Sequence, residues 1–294
     1  SWSKKINGVF ISESISFIGF KFKSSIKLQN ANNFELMNCS IEEHKSSHGG
    51  IEITNSQNIT IKHVTISNLQ KPGIHIKSRS SLSADDLTIR NIKTTMFVCF
   101  EYSSVKITNS KFYNSTANGI LSDDESSIEI LNSTFSDFQN PAVFIENSKS
   151  AIIKNNKFEK IEQNGLSITS SHNFSIENNE FTQIQASAIS ISKESVGEVT
   201  NNKVFDIGGN GIICSTSSNI TIKNNKFNDL IYPAISIASN STATLDGNKI
   251  TGIKYSGIAL RRAKYVKIEN CEIQKIIESG ISISDTERCE IEKN

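Results

Sequence analysis

The sequence predicts an all-β solenoid, a parallel β-helix with 23-residue coils, three short strands per coil and an asparagine ladder. Three observations carry that reading. A segment reading Gly-Ile-x-Ile, five variable positions, then Ile-x-Ile-x-Asn-Asn-x-Phe-x-x-Ile recurs with a fixed 23-residue period. Its first residue falls at Gly50, Gly73, Met96, Gly119, Ala142, Gly165, Ala188, Gly211, Ala234, Gly257 and Gly280. Within each repeat the apolar residues alternate, the period of a strand with one buried face. Nowhere do apolar residues recur at spacings of three and four for long enough to make a helix.

The first strand of each coil carries pairs such as Ile51/Ile53, Leu166/Ile168 and Ile281/Ile283. The second carries Ile59/Ile61, Phe174/Ile176 and Val266/Ile268. The third is marked by Phe112, Phe135, Phe158, Phe181, Val204, Phe227, Ile250 and Ile273. Stacked coils then lie about 4.8 Å apart, hydrogen-bonded into parallel sheets. The turn between the second and third strands falls at Asn109, Asn132, Asn155, Asn178, Asn201, Asn224 and Asn270, with a second Asn at 156, 179, 202, 225 and 248. Asn tolerates the left-handed backbone of a tight bend, and its amide can donate to one coil and accept from the other. The ladder is expected at the first of these columns, with Asn38 and Asn132 inside. The leucine-rich repeat is the competing architecture, because Ile220-x-Ile222-x-x-Asn225-x-Phe227 fits its strand signature. That repeat, however, has no second alternating strand where this chain has Gly-Ile-x-Ile.

One β-helix domain is expected over 1–294, with an N-terminal cap or first coil over 1–24 and stacked coils over 25–294. A two-residue expansion falls at Glu42-Glu43-His44-Lys45-Ser46-Ser47-His48. Its two histidines read as a solvated loop, not a metal site. The C-terminal end at Asn294 falls in mid-coil, and an open coil end exposes strand edges, so the natural polypeptide is expected to continue.

Composition narrows the function. With 31 basic and 30 acidic residues, no net field attracts nucleic acid or an anionic membrane. Apolar runs are too short for a membrane span. Five unpatterned cysteines favour a reducing, cytoplasmic setting, whereas seven Asn-x-Ser/Thr sequons leave a secreted one open. No cofactor motif is present.

With the stretch Ala234-Ile-Ser-Ile-Ala-Ser-Asn-Ser-Thr-Ala-Thr-Leu-Asp-Gly-Asn-Lys-Ile250 in view, the chain resembles right-handed parallel β-helix proteins of the pectin-lyase-like class. Within that class it is most similar to the β-helical substrate-recognition domains of F-box ubiquitin-ligase subunits. The resemblance spans about 25–294 and implies fold, not chemistry.

Candidate site residues lie on the outward columns of the first strand. Val98, Phe100, Tyr102, Leu121 and Phe144 form an expected exposed apolar and aromatic patch, bordered by Glu101, Asp123, Asp124, Glu125 and Glu146. Asp123 and Glu146 share a column in adjacent coils, about 5 Å apart if the stacking holds, near the separation of a retaining glycosidase pair. They are the candidate catalytic residues, and no metal site is expected. The reading favours a non-catalytic recognition scaffold for a protein or peptide partner, within a larger polypeptide. The alternative is a carbohydrate-binding or polysaccharide-degrading protein, hydrolase or lyase.

Overall fold

The computed structural model describes residues 7–9, 14–42, 49–216 and 218–294. The chain divides into two compact units, Ser1–Ser150 and Ala151–Asn294. The strands of successive coils pair in parallel in both, so the parallel β-helix is what the sequence builds. His44 and His48 lie outside the described residues.

In the first unit the first strands are Asn7–Val9, Ile26–Gln29, Ile51–Thr54, Ile74–Lys77, Phe97–Cys99, Ile120–Ser122 and Val143–Glu146. Their register runs Ile51, Ile74, Phe97, Ile120, Val143, which repeats the sequence period without slippage. The step from Ile26 to Ile51 is longer than that period by two positions, where the expansion was expected. In the second unit the equivalent register is Leu166, Ile189, Ile212, Ile235, Ile258, Ile281.

Alternation sends the apolar residues of all three strands inward. The third-strand column is a buried stack: Phe112 and Phe135 lie face to face at 5.0 Å in the first unit, and Phe158 and Phe181 at 4.7 Å in the second. Cys99 and Cys214 take inward positions otherwise held by Ile, and burial pushes the Cys99 thiol up to about 12 and the Cys214 thiol higher still. Both are inert at neutral pH.

The asparagine ladder is real, but it stands one residue later than expected. Asn109, Asn132, Asn155, Asn178, Asn201, Asn224 and Asn270 have φ between 50° and 57° and make the bend itself. Asn178, Asn132 and Asn38 are exposed, not inside. The buried ladder is Asn156, Asn179, Asn202, Asn225, Asn248. From Asn179 onward each Oδ1 accepts both the backbone N–H and the Nδ2 of the Asn one coil before, at 2.9 and 3.0 Å for Asn202 with Asn179. Asn202 Nδ2 also donates to the Ile176 carbonyl at 2.9 Å. The physical reason for the split is that a left-handed residue points its side chain outward, so bending and bridging fall to neighbouring positions.

A second ladder, of serines, closes the turn after the first strand. Ser56 Oγ accepts from the Ala31 N–H at 3.0 Å and Ser80 Oγ from the Ser56 N–H at 3.0 Å; in the second unit Ser195 and Ser241 do the same for Ser171 and Ser218. Each such hydroxyl stands at a buried turn, where an orphaned backbone N–H is costly.

Candidate functional site

The outward positions of the first strands are set by the same alternation that fills the core. In the first unit one column runs Lys27, Glu52, His75, Val98, Leu121, Phe144 through successive register pairs. Its neighbour runs Thr54, Lys77, Phe100, Asp123, Glu146. Aromatic, acidic and basic groups therefore share one face.

The structure brings most of the candidate residues together. Leu121 and Phe144 are register neighbours and half-buried, Phe100 is half-buried, and Tyr102 projects at 62% exposure. Val98 departs from the expected exposed patch: it is buried, at 6% exposure, because its short side chain stands between the longer His75 and Leu121. Asp123 and Glu146 each follow directly on a member of the register pair Ser122 and Ile145, so they do occupy adjacent coils. Part of the Asp123 carboxylate's capacity is local, since it accepts from the Asp124 N–H at 2.7 Å and from Asn147 Nδ2 at 3.2 Å. Asp124 itself is exposed in the turn and has φ 52°.

A group that sequence reasoning did not nominate sits beside them. Glu52 reaches Lys27 and Lys77, each at 3.8 Å. His75 stacks edge-on against Phe100 with ring centroids 6.0 Å apart, and its buried Nε2 has no hydrogen-bond partner among the described residues. Burial, and then the Lys77 charge, hold its pKa below the ordinary value. A neutral, half-buried imidazole beside an ammonium and an aromatic ring can accept a proton or a hydrogen bond. The signal was available in the 23-residue column that lines up Glu52, His75 and Val98. It carried no weight because a lone His on a strand is common, and only the register places Lys77 and Phe100 around it.

The matching columns of the second unit run Ser167, Ser190, Ile213, Ser236, Ala259, Ser282 and, beside them, Thr169, Ser192, Ser215, Ala238, Arg261, Ser284. Thr169 and Ser192 share a hydrogen bond of 2.6 Å. Among the described residues no cluster of His, Cys, Asp or Glu has metal-holding geometry, and no helix is long and apolar enough to cross a membrane.

The model of the right-handed β-helix region matches this chain in overlapping segments over 7–128, 72–227, 118–264 and 195–294. The chain belongs to the right-handed β-helix family. No curated protein matches it in sequence. Among solved structures it is similar to the A-module of a mannuronan C-5 epimerase from Azotobacter vinelandii, at TM-score 0.73 and 12% identity, over 92% of this chain and 88% of the other. It is similar to a periplasmic alginate epimerase at TM-score 0.71 and 12% identity, over 93% and 75%. It also resembles the catalytic unit of an alpha-1,3-glucanase from Streptomyces thermodiastaticus, at TM-score 0.64 and 12% identity, over 93% and 62%.

At this identity the likeness establishes fold. It nevertheless overturns the expectation of a non-catalytic scaffold for a protein or peptide: these structural relatives are named for work on polysaccharides, and none is a protein-recognition domain. The likeness to F-box recognition domains finds no support among them. One coil sequence was too little to separate members of a fold whose repeats encode packing alone.

Proposed function

We propose that this chain is a carbohydrate-active protein, an enzyme whose polysaccharide substrate lies along the first-strand face of the 1–150 unit. The observation that carries the proposal is the concentration of Phe100, Leu121 and Phe144 with Glu52, His75, Lys77, Asp123 and Glu146 on that face. Apolar and aromatic side chains take the C–H faces of sugar rings, and the ionisable groups supply acid and base. The similar structures named as epimerases and a glucanase support the substrate class. A polysaccharide substrate goes with the secreted alternative, not the cytoplasmic one.

Asp123 and Glu146 are the first candidates for the chemistry. A pair of carboxylates in adjacent coils suits protonation of a glycosidic oxygen by one and attack or water activation by the other. The burial of His75 beside Lys77 favours a second reading. There the neutral imidazole abstracts a proton next to a sugar carboxylate while Lys77 balances the charge developing on that carboxylate.

Turnover of mannuronan and of alpha-1,3-glucan, followed by proton exchange and by released reducing ends, tests both. Glu146→Gln abolishes hydrolysis with binding retained if the carboxylate pair works; His75→Gln abolishes proton exchange if the imidazole does. Binding of neither polymer contradicts the proposal.

A further inference from the structure

Tyr102 occupies a backbone conformation that suits it poorly. Its φ is 61° and that of Glu101 is 55°. L-residues other than Asn and Asp enter this left-handed region at a cost, and an aromatic residue there is an outlier. Directly before the ladder serine other coils place Asn55, Arg79, Glu125, Asn147, Ser170, Glu194 and Asn240, all with positive φ, so the left-handed bend belongs to the turn itself. Among the described residues no other Tyr, Phe or Trp has a positive φ.

The turn is braced, so the conformation is fixed. The Arg79 N–H donates to the Glu101 carbonyl at 2.8 Å, the Tyr102 N–H to the Asp124 carbonyl at 2.9 Å, and Ser78 Oγ to the Glu101 carboxylate at 2.6 Å. The ring gains no core burial in return, since it remains 62% exposed. It lies against Arg79, whose guanidinium carbon is 5.6 Å from the ring centroid, within cation–π range. What sets this coil apart is the side chain the turn carries: an exposed aromatic ring held in a fixed place against an arginine, two residues beyond Phe100 and with no core contact to account for it. An exposed, fixed aromatic face is available to a ligand from solvent.

We propose that Tyr102 and Arg79 form a rim subsite of the glycan site: a pyranose unit stacks its C–H face on the Tyr102 ring, and the Arg79 guanidinium donates hydrogen bonds to oxygens of the same unit. This rests on the glycan reading of the first-strand face. The guanidinium has several donors in a fixed plane, which suits the hydroxyl or carboxylate oxygens of one sugar.

Calorimetric titration with mannuronan and alpha-1,3-glucan oligosaccharides tests it on four proteins: wild type, Tyr102→Asn, Tyr102→Phe and Phe100→Ser. Asn is at home in the left-handed turn, so Tyr102→Asn is expected to unfold at the same temperature or higher while binding the preferred oligosaccharide about tenfold more weakly. Tyr102→Phe keeps the ring and is expected to stay within about twofold of wild type, because only the hydroxyl is lost. Tyr102→Asn that binds as tightly as wild type while Phe100→Ser weakens binding overturns the rim subsite and leaves the glycan site standing. Weaker binding accompanied by a lower unfolding temperature also overturns it. Wild-type protein that binds neither oligosaccharide removes the glycan site and the subsite with it.

Discussion

The two units are built to the same 23-residue plan, yet they place their polar groups at different depths. In the second unit the turn between the second and third strands is closed by the buried ladder Asn156 to Asn248, and the outward first-strand face is mostly Ser, Thr and Ala, interrupted by Ile213 and Arg261 and without an aromatic or acidic residue. In the first unit the same turn column holds Val64, Leu87, Ser110 and Ser133, with Ser110 Oγ accepting from the Leu87 N–H at 3.1 Å and Ser133 Oγ from the Ser110 N–H at 3.0 Å. Where Val64 and Leu87 replace the ladder, the second and third strands run together as Ile59–Leu69 and Ser81–Ile92. The first unit instead carries its aromatic and charged groups on the outward face. One region puts its distinctive polarity into holding coils, the other into a surface that meets solvent. A repeat protein can do this because each coil packs only on its neighbours, leaving outward positions free of the fold's demands.

The largest expected effect lies in what the two units share. Phe181→Ala and Phe135→Ala each remove a fully buried ring from the third-strand stack and should cost about 3–5 kcal/mol in urea unfolding. A loss under about 1 kcal/mol at either position would mean that the stack is not what holds the coils. Next comes the ladder. Asn202→Ala orphans the Asn179 N–H, removes one of the two acceptors of Asn179 Nδ2, which keeps the Ile153 carbonyl, and takes a donor from the Ile176 carbonyl, at about 1–3 kcal/mol for a buried donor left unpaired. Ser110→Ala orphans the Leu87 N–H and takes one donor from the Thr108 carbonyl, fewer bonds than at Asn202, and should cost less. If the two cost the same, the contrast between the units is cosmetic. Asn178→Ala, at an exposed left-handed position, should cost only about 1 kcal/mol.

A smaller effect is confined to the first unit and depends on pH. Lys77, Glu52 and Glu101 act electrostatically on His75, but burial dominates and lowers its pKa from 6.5. The folded state then binds fewer protons than the unfolded state below pH 6.5, so stability falls as pH drops from there toward the lower folded value. His75→Phe should flatten that slope. A slope that persists unchanged in the variant would assign it to other groups.

Much of the fold was legible in the sequence, and the site only in outline. Period, strand count and inward Phe column follow from spacing, because a repeat multiplies every weak signal by the number of coils. The ladder was placed one residue early, since both Asn positions recur and only backbone angles tell which one bends. The serine ladder was overlooked because its spacing is uneven: the step from Ser56 to Ser80 is one position longer than the step from Ser80 to Ser103. On the face, the column containing Asp123 and Glu146 was legible, but Val98 was counted as exposed because spacing gives direction and not the size of neighbours. His75, Lys77 and Arg79 acquire meaning only once the register sets them against Glu52, Phe100 and Tyr102.

The central claim, that the first unit's outward face and not the second's meets a polysaccharide, is tested most directly by oligosaccharide titration of two double variants. Phe100→Ser with Phe144→Ser alters the first unit's face, and Ser190→Phe with Ser236→Phe alters the second's. Loss of binding in the first pair, with both proteins still folded and the second pair binding as wild type, is the result predicted here. Wild-type affinity in the first pair, or loss in the second, would contradict it.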